Sequence, residues 1–377
     1  MSSYFMDGNE AIARAAVAAG CSFFAGYPIT PATSIFNHML KLLPPAGGIC
    51  LQGEDEIASI GFCLGASMAG RKVMTATSGP GLSLMSEHLS FAIGGEIPIV
   101  IVDVQRLGPS TGSATLGADG DIQFMRWGSS GGLPAIVLAP VDTADCYRLT
   151  FEAFNLAERY RCPVFIASNK EIAMTRESVD ANVFEPGEPL QRKYASPWRR
   201  YLPFQPDSNS MVPDFLPIGA DTLVRQTSSS HGPDGYLTAD RHQLGSSTER
   251  LAAKLNEGLS GYSFHELDCM PEAQRLIITY GVTARAAKAA VEGLRSNGVK
   301  VSLLVIKTLY PVPEELLRSV ITRFRSVLVI EMNLGQYRRE IERISGGVAV
   351  SGHGCMDGAL ISPETIAQAV ANEDTAQ

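Results

Sequence analysis

The sequence predicts an α/β protein in which an irregular connector joins two doubly wound parallel-sheet domains. Apolar strand patterns alternate with helix patterns over residues 8–168, and the alternation starts again at residue 275. Over residues 179–270 it stops, and Pro, Gly, Ser and Asp become frequent. We therefore expect a first domain over residues 1–178, a connector over the interrupted stretch, and a second domain over residues 271–377.

The elements of the first domain follow in order along the chain. The run IPIVIVDVQR at residues 97–106 is continuously apolar at its start, which is typical of a parallel strand buried on both faces. Ligands of doubly wound sheets bind at the carboxyl ends of the strands, so we expect the site at that edge. The predicted strands are 21–26, 49–53, 73–78, 97–106, 135–140 and 163–168, and the predicted helices are 10–19, 34–43, 57–70, one from Leu82, and 143–160.

The connector is expected to have little regular structure before a helix near Ser247–Glu257. Its aromatic residues indicate a contact surface rather than disorder, and they are Trp198, Tyr201, Phe204 and Phe215. In the second domain the predicted strands are 275–282, 299–307 and 326–333, and the predicted helices are 283–298, 311–324 and one from Leu334.

Composition and charge exclude several classes of function. The formal net charge of −8 argues against nucleic acid as the main partner. No apolar run reaches the roughly 18 residues that a membrane span needs. The N-terminus lacks the basic and apolar regions of a secretion signal. We therefore expect a cytoplasmic protein with neither a membrane nor a nucleic-acid partner.

Metal and nucleotide signatures are not found in the sequence. None of the seven cysteines lies within four positions of another, so a cluster on this chain is not expected and the thiols are predicted to be reduced. The histidines show no HxxxH spacing, and Asp119-Gly120-Asp121 alone is weak evidence for a cation, so we predict no metal site. No GxxxxGK[ST] or GxGxxG motif follows a strand.

The stretch Leu51–Glu87 combines acids, small residues and a glycine turn. Glu54, Asp55 and Glu56 precede a helix rich in Gly, Ala and Ser, which allow close approach of a ligand or a partner. The turn Ser78-Gly79-Pro80-Gly81 follows the next strand. A carboxylate at a helix start can hold a proton on a ring nitrogen, and Glu56 is the candidate. The alternative is that all three acids only complement the helix dipole.

Polar side chains in two further loops are candidates for substrate binding. Arg106 ends a strand, and its planar guanidinium suits a carboxylate, although a surface ion pair is equally compatible. Thr30 presents a hydroxyl on a loop stiffened by prolines, with helix capping as the alternative. Ser110, Thr111 and Ser113 form a hydroxyl cluster with the same two interpretations.

Five motifs in this order resemble the α subunit of 2-oxoacid:ferredoxin oxidoreductases, and the 2-oxoglutarate branch is nearest. They are GYPITPATS, QGEDEIASIGFCLGASMAG, TATSGPGLSLMSE, VDVQRLGPSTG and VIEMNLGQ, and they extend over nearly the whole chain. The resemblance implies a first domain of the thiamine diphosphate pyrimidine-binding type and a second domain like the C-terminal domain of transketolase.

The resemblance also implies roles for individual residues. Glu56, not Glu54, would hydrogen-bond the aminopyrimidine ring nitrogen and promote its imino tautomer. Thr30 would lie near the substrate and the thiazolium as a second catalytic residue. Arg106 would bind the substrate carboxylate, with Ser110 and Thr111 beside it. The other cofactor-binding residues would be Tyr27, Pro28, Ile29, Ser78 and Gly79.

The implied reaction is the coenzyme A-dependent oxidative decarboxylation of 2-oxoglutarate to succinyl-CoA and CO₂, with reduction of ferredoxin. The family divides the cofactor between two chains, and a β subunit carries the diphosphate site, Mg²⁺ and a [4Fe–4S] cluster. This chain has no GDG-type diphosphate motif, so we expect it to be inactive without a β subunit, in an α₂β₂ assembly. An extra γ-like domain found in many relatives is expected to be missing or to be a separate polypeptide.

One departure keeps other substrates open. The loop after Arg106 reads GPSTGSATLGADGD, with Ala114 where the family usually has proline and with changes at Gly117–Gly120. Branched-chain 2-oxoacids or pyruvate therefore remain alternatives, as does the reverse, carboxylating direction. A non-catalytic assembly subunit is a further alternative, which the retained Thr30, Glu56 and Arg106 disfavour.

Overall fold

The computed structural model describes residues 3–185, 187–196 and 200–375. Its strands are β1 (Ser3–Met6), β2 (Phe23–Gly26), β3 (Ile49–Gln52), β4 (Val73–Thr77), β5 (Ile99–Gln105), β6 (Ile136–Leu138), β7 (Pro163–Asn169), β8 (Glu177–Asp180), β9 (His265–Asp268), β10 (Arg275–Thr279), β11 (Val301–Ile306), β12 (Thr308–Tyr310), β13 (Ser326–Glu331) and β14 (Ala349–Gly354). Its helices are α1 (Gly8–Ala18), α2 (Thr33–Leu42), α3 (Glu56–Met68), α4 (Gly79–Leu84), α5 (Ser86–Gly94), α6 (Ile122–Trp127), α7 (Thr143–Tyr160), α8 (Lys170–Met174), α9 (Arg241–Ala253), α10 (Thr283–Ser296), α11 (Glu314–Ile321), α12 (Arg338–Ile344) and α13 (Pro363–Thr375).

The larger sheet has the strand order β12-β6-β7-β5-β4-β2-β3, and every pairing except that of β12 is parallel. Every residue of the central strand β5 is buried. Val100 and Val102 pack into the core that contains α1 and α7, whereas Ile99 and Ile101 pack into the core that contains α3 and α5. Helices therefore cover both faces of the sheet, as predicted for a doubly wound domain.

The second sheet has the order β14-β13-β10-β11-β9, with β9 antiparallel to β11 and the other pairings parallel. The predicted fold class of two doubly wound domains is thus confirmed, but neither sheet is wholly parallel. The short strand β12, from the second domain of the sequence, adds to the edge of the first sheet by pairing with β6. The domain limits at residues 178 and 270 stay a proposal, and β9 lies inside the predicted connector.

The connector is less irregular than predicted. Helix α9 begins at Arg241, earlier than the expected Ser247, because Asp240 caps it by accepting a hydrogen bond from the Gln243 amide at 2.9 Å. Phe204 and Phe215 are buried, as a contact surface requires. Of the other two connector aromatics named above, Tyr201 is partly buried and Trp198 lies outside the described residues.

Buried ion pairs fix the connector to the first domain. The fully buried Glu96 pairs with Arg250 at 2.6 Å and with Lys254 at 2.9 Å, both on or just after α9. Arg192 makes a two-point pair with Glu158 of α7, at 2.6 and 2.8 Å. A buried charge is costly without a partner, so these contacts hold the connector in one position. No helix in the described part of the chain is long and apolar enough to span a membrane.

Candidate functional site

The candidate residues lie at one edge of the first sheet. Strands β3, β2, β4 and β5 are neighbours and run parallel, so their carboxyl ends meet at the same edge. The four loops that leave these ends carry the predicted residues, in the order Glu54–Glu56, Tyr27–Thr30, Ser78–Gly81 and Arg106–Thr111. Ligands of doubly wound folds bind at this edge. The fold therefore brings together motifs that are far apart in the sequence.

Helix α3 starts at the candidate carboxylate. Asp55 is its N-cap and accepts a hydrogen bond from the Ala58 amide at 2.7 Å, so Asp55 has the ordinary helix-end role. Glu56 is the first helical residue and is 6% exposed. Its carboxylate makes no hydrogen bond or ion pair within the described residues. A buried carboxylate without a protein partner is ready to accept a donor from a ligand.

The turn after β4 packs directly against Glu56. A Cβ placed on Gly81 would lie 2.6 Å from both Cγ and Oε1 of Glu56, so only glycine allows this approach. Ser78 is fully buried, and its Oγ has no hydrogen-bond partner. Its side chain is therefore closed off from solvent, although the sequence predicts it as a cofactor contact. Gly79 is partly exposed and begins α4.

Arg106 joins two of the loops. Its Nη1 donates to the carbonyl oxygen of Thr30 at 2.5 Å, and its Nη2 donates to that of Thr111 at 2.7 Å. Its buried Nε has no partner in the part of the chain that the structure describes. Two of its five N–H bonds are thus used by the protein, and the others are free to meet an anion. The surface ion pair that the sequence left open is not formed within the described part of the chain, because Arg106 is 6% exposed and bonds to carbonyl oxygens.

The remaining loop residues form the accessible part of the site. Thr30, Ser110 and Thr111 are exposed, and Tyr27 is 39% exposed. Pro28 is exposed and Ile29 is partly buried. Ser110 has a φ of 53°, in the left-handed region that is uncommon for a residue with a side chain. These exposed side chains therefore lie on loops that leave the same sheet edge, two of which are joined by the buried Arg106.

Sequence reasoning missed a buried acid pair next to these residues. Asp103 of β5 is fully buried, and its carboxyl group lies beside that of Asp121. Burial and the neighbouring Asp121 raise the pKa of Asp103 well above its usual range. Burial also raises the pKa of Asp121 to about 6, against the hydrogen bond from Asp103 and the charge of Arg106. The only sign of this pair in the sequence is an aspartate within an otherwise apolar strand.

A third acid, Asp119, is 2% exposed and accepts a hydrogen bond from Nδ2 of Asn169 at 3.0 Å. Burial raises its pKa to about 7, although that hydrogen bond opposes the shift. From the sequence alone, Asp119 and Asp121 are only weak evidence for a cation site. In the structure, Asp119 and Asp121 instead hold the loop that follows Arg106 in place.

Two family models match the chain. One is described as pyruvate flavodoxin/ferredoxin oxidoreductase, thiamine diphosphate-binding, and matches residues 14–242. The other, pyruvate:ferredoxin oxidoreductase core domain II, matches residues 273–366. The 2-oxoglutarate synthase subunit KorA of Methanothermobacter thermautotrophicus is 39% identical over 353 residues, which are 92% of each chain. This chain belongs to the 2-oxoacid:ferredoxin oxidoreductase family.

Other members of the family extend the comparison. The ketoisovalerate oxidoreductase subunit VorB of Methanothermobacter marburgensis is 33% identical over 92% of this chain and 91% of its own. A solved 2-oxoglutarate:ferredoxin oxidoreductase from Magnetococcus marinus, with 2-oxoglutarate, coenzyme A and succinyl-CoA bound, is 33% identical with a TM-score of 0.94. The match covers 98% of this chain and 65% of that one. The predicted family and its thiamine diphosphate-binding domain are therefore confirmed.

Proposed function

We propose that this chain is the α subunit of a 2-oxoglutarate:ferredoxin oxidoreductase, which forms succinyl-CoA and CO₂ from 2-oxoglutarate and coenzyme A and reduces ferredoxin. The observation that carries the proposal is Glu56. In a chain of this family, its carboxylate is buried at the start of α3, faces the turn at Gly81 and has no partner among the described residues. The four KorA relatives, at 37–40% identity, favour 2-oxoglutarate.

The residues at the sheet edge fit the aminopyrimidine end of thiamine diphosphate. The unpartnered Glu56 would accept a hydrogen bond from a ring nitrogen and hold the proton there. The missing Cβ of Gly81 leaves room for the carboxylate. Tyr27, Pro28, Ile29 and Gly79 would line the ring, with Ser78 supporting it from behind. When bound, this cofactor supplies a nucleophilic carbon and an electron sink for 2-oxoacid decarboxylation.

Substrate recognition would use the neighbouring loops. Arg106 is buried, so its attraction for a carboxylate is weakly screened by water. Its bonds to the carbonyl groups of Thr30 and Thr111 orient it, and its unpaired N–H groups would meet the anion. The exposed hydroxyl groups of Thr30, Ser110 and Thr111 would complete the polar lining beside the reacting carbon.

A β subunit would complete the site, and Mg²⁺, the diphosphate contacts and a [4Fe–4S] cluster are proposed to belong to it. Apolar side chains near the site support such a partner. Ile57 and Phe62 of α3 are 42% and 44% exposed, and Leu84 of α4 is 51% exposed. Large exposed apolar groups around a buried site are typical of an interface. An α₂β₂ assembly, contact with ferredoxin and a cytoplasmic location stay proposals.

The alternative substrate class rests on the similarity to the VorB subunit. We expect 2-oxoglutarate to have the highest kcat/KM of the 2-oxoacids. A higher kcat/KM for 2-oxoisovalerate or pyruvate would assign this chain to another substrate class of the same family. A preference for those acids would point to the loop at residues 113–121, where the sequence departs from the family pattern.

The proposed function is tested by purifying the chain with and without a partner subunit from the adjacent coding region. We expect 2-oxoglutarate-dependent ferredoxin reduction only in the complex, and only with thiamine diphosphate, Mg²⁺ and coenzyme A present. Activity of the chain alone would refute the divided site. A stable complex that turns over no 2-oxoacid would identify a non-catalytic assembly subunit instead.

A further inference from the structure

The motif VIEMNLGQ has no role in the chemistry described above, although it lies at the carboxyl end of a strand. It covers the end of β13 and the turn Met332–Gln336, which we call the MNLGQ turn. This turn belongs to the second sheet. Its contacts, however, are made with the first domain, at the segment Asp119–Gln123 that ends the loop carrying Arg106 and Thr111.

Hydrogen bonds from the MNLGQ turn hold the main chain of that segment. The Asp119 amide donates to the Met332 carbonyl oxygen at 2.9 Å. Nδ2 of Asn333 donates to the Asp119 carbonyl oxygen at 2.9 Å, and Nε2 of Gln336 donates to that of Gly120 at 2.7 Å. Oε1 of Gln336 also accepts from the Gln123 amide at 3.3 Å. Backbone groups that are held on both their N–H and C=O sides have little freedom to move.

The turn is itself rigid. Asn333 is fully buried, and its Oδ1 accepts from the amides of Gly335 and Gln336 at 3.0 and 2.9 Å. Just before it, Glu331 accepts from the Tyr337 amide and from the Tyr280 hydroxyl, each at 2.9 Å. A network in which each member is satisfied specifies one geometry. The turn can therefore act as a fixed support for the segment that it contacts.

The held segment touches both sides of the candidate site. On the substrate side, the loop closes on itself through Leu107, whose amide donates to the Leu116 carbonyl oxygen at 2.8 Å. On the cofactor side, Oδ2 of Asp121 would lie 2.8 Å from a Cβ on Gly79. The Asp121 amide also donates to Oε1 of Gln105 at 3.0 Å, next to Arg106. Displacement of this segment would therefore move both loops at once.

We propose that Asn333 and Gln336 are positioning residues of the reaction, which set the substrate loop and the cofactor turn from the second domain. The proposal rests on the proposed function, because the two loops matter only if the site binds an oxoacid and a cofactor. It assigns the second domain a part in substrate affinity that acts through the substrate loop. Neither residue needs to touch the substrate for this role.

The test compares Asn333→Ala and Gln336→Ala with two matched controls. Asn297→Ala removes an exposed amide that bonds the Gly293 carbonyl oxygen at the end of α10. Gln368→Ala removes an exposed amide that bonds Asn372 on α13. Because Gln336 is only partly buried, its variant is expected to fold even if the buried Asn333 variant does not.

Two readouts are needed. In the complex with the partner subunit, we expect the KM for 2-oxoglutarate to rise about threefold to tenfold in Gln336→Ala, the effect of roughly one net hydrogen bond, with kcat within about twofold. In the isolated chain, amide hydrogen exchange over residues 107–123 should become faster, whereas exchange in β10 and β11 should not change. Both controls should match the native protein in both measurements.

Three results would overturn the proposal. Unchanged exchange at residues 107–123 would show that the turn does not support the loop. Faster exchange with an unchanged KM would show that the support is irrelevant to substrate. An equal loss of kcat in the variants and controls would indicate only general destabilisation. If the native complex turns over no 2-oxoacid, the proposed function fails, and the exchange experiment still decides whether the turn holds the loop.

Discussion

The guanidinium of Arg106 donates a hydrogen bond to the main-chain carbonyl oxygen of Thr30 at 2.5 Å, and so links the loops that follow β5 and β2. The two residues are 76 positions apart in the sequence. The contact explains how an arginine can be held in a buried position without an acidic partner. It also gives the arginine an organising role beside the binding role that we propose for it.

Replacement of Arg106 is expected to weaken substrate binding. Arg106→Ala removes the positive charge and both loop contacts, so the KM for 2-oxoglutarate should rise by at least about tenfold in the reconstituted complex. Arg106→Lys keeps the charge but not the two-point geometry, and should give an intermediate KM. The control is Arg71→Ala, whose side chain is exposed. An unaltered KM in Arg106→Ala would exclude carboxylate binding by this residue.

Replacement of Glu56 should remove turnover while the complex still assembles. Glu56→Gln preserves the size of the side chain but cannot hold a proton on a ring nitrogen in the same way. We expect kcat to fall by roughly a hundredfold or more, the usual contribution of a positioned acid–base group. Glu54→Gln, at the exposed neighbouring acid, should retain native turnover. Full activity of Glu56→Gln would assign both acids to the helix end alone.

Gly81 should tolerate no side chain. In Gly81→Ala the new Cβ would lie 2.6 Å from Cγ and Oε1 of Glu56, and it would also collide with Oγ1 of Thr77. The Glu56 carboxylate must then move, so kcat should fall even where the protein folds. Gly293→Ala, in α10 with open space around it, should raise stability by about 0.5–1 kcal/mol. Equal kcat for Gly81→Ala and the native protein would show that the close approach is not needed.

The ion pairs of Glu96 should make connector attachment sensitive to acid. Although burial opposes it, the charges of Lys254 and Arg250 lower the pKa of Glu96 to about 2 from 4.5. The stabilisation is therefore complete above about pH 4.5 and is lost as the pH falls towards 2. Glu96→Gln removes the carboxylate that pairs with Lys254 and Arg250, which keep only the carbonyl oxygens of Arg161 and Met211 as partners among the described residues, and should cost about 3–5 kcal/mol at pH 7.

The role of the Glu96 ion pairs is tested by measuring the midpoint of thermal unfolding and the rate of proteolysis of the connector. Glu96→Gln should lower the midpoint and expose residues 200–260 to cleavage. Glu249→Gln, on the exposed face of α9, should change neither. Native resistance to proteolysis in Glu96→Gln would mean that other contacts, such as that of Arg192 with Glu158, are sufficient to hold the connector.

The Asp103–Asp121 pair should make stability depend on pH in the direction opposite to that of Glu96, so that its contribution falls as the pH rises. Because the folded-state pKa values of both acids are raised, the folded chain binds more protons than the unfolded chain above about pH 4. This contribution to stability falls as the pH rises through the folded-state pKa of each acid, which is about 6 for Asp121 and well above its usual range for Asp103. Asp103→Asn replaces the shared proton with an amide donor. The stability of the variant relative to the native protein should therefore increase from pH 5 to pH 8, by up to about 1.4 kcal/mol per pH unit.

Thermal unfolding of both proteins across that pH range tests the pair. Asp221→Asn, an exposed acid, is the control and should follow the native protein at every pH. A difference between Asp103→Asn and the native protein that does not change with pH would rule out proton sharing by the two carboxyl groups.

Local patterns in the sequence predicted the main elements well. Helix α7 runs from Thr143 to Tyr160 as expected, since Asp142 caps its start by accepting from the Asp145 amide at 2.7 Å. The buried strands β5 and β7 were recognisable from their apolar runs. The short strands β9 and β12 were missed, because the residues that pair with them are distant in the sequence. Such pairing leaves no local pattern.

The sequence by itself determined the fold class and the family and indicated the candidate residues of the site, because periodicity and ordered motifs are written along the chain. Tertiary structure alone decided which of them meet. It placed Glu56 against Gly81 with no partner among the described residues, joined Arg106 to Thr30, and brought Asp103 to Asp121. These relationships depend on strand order and on packing between distant segments, and hydrogen bonds and burial act through space rather than along the chain.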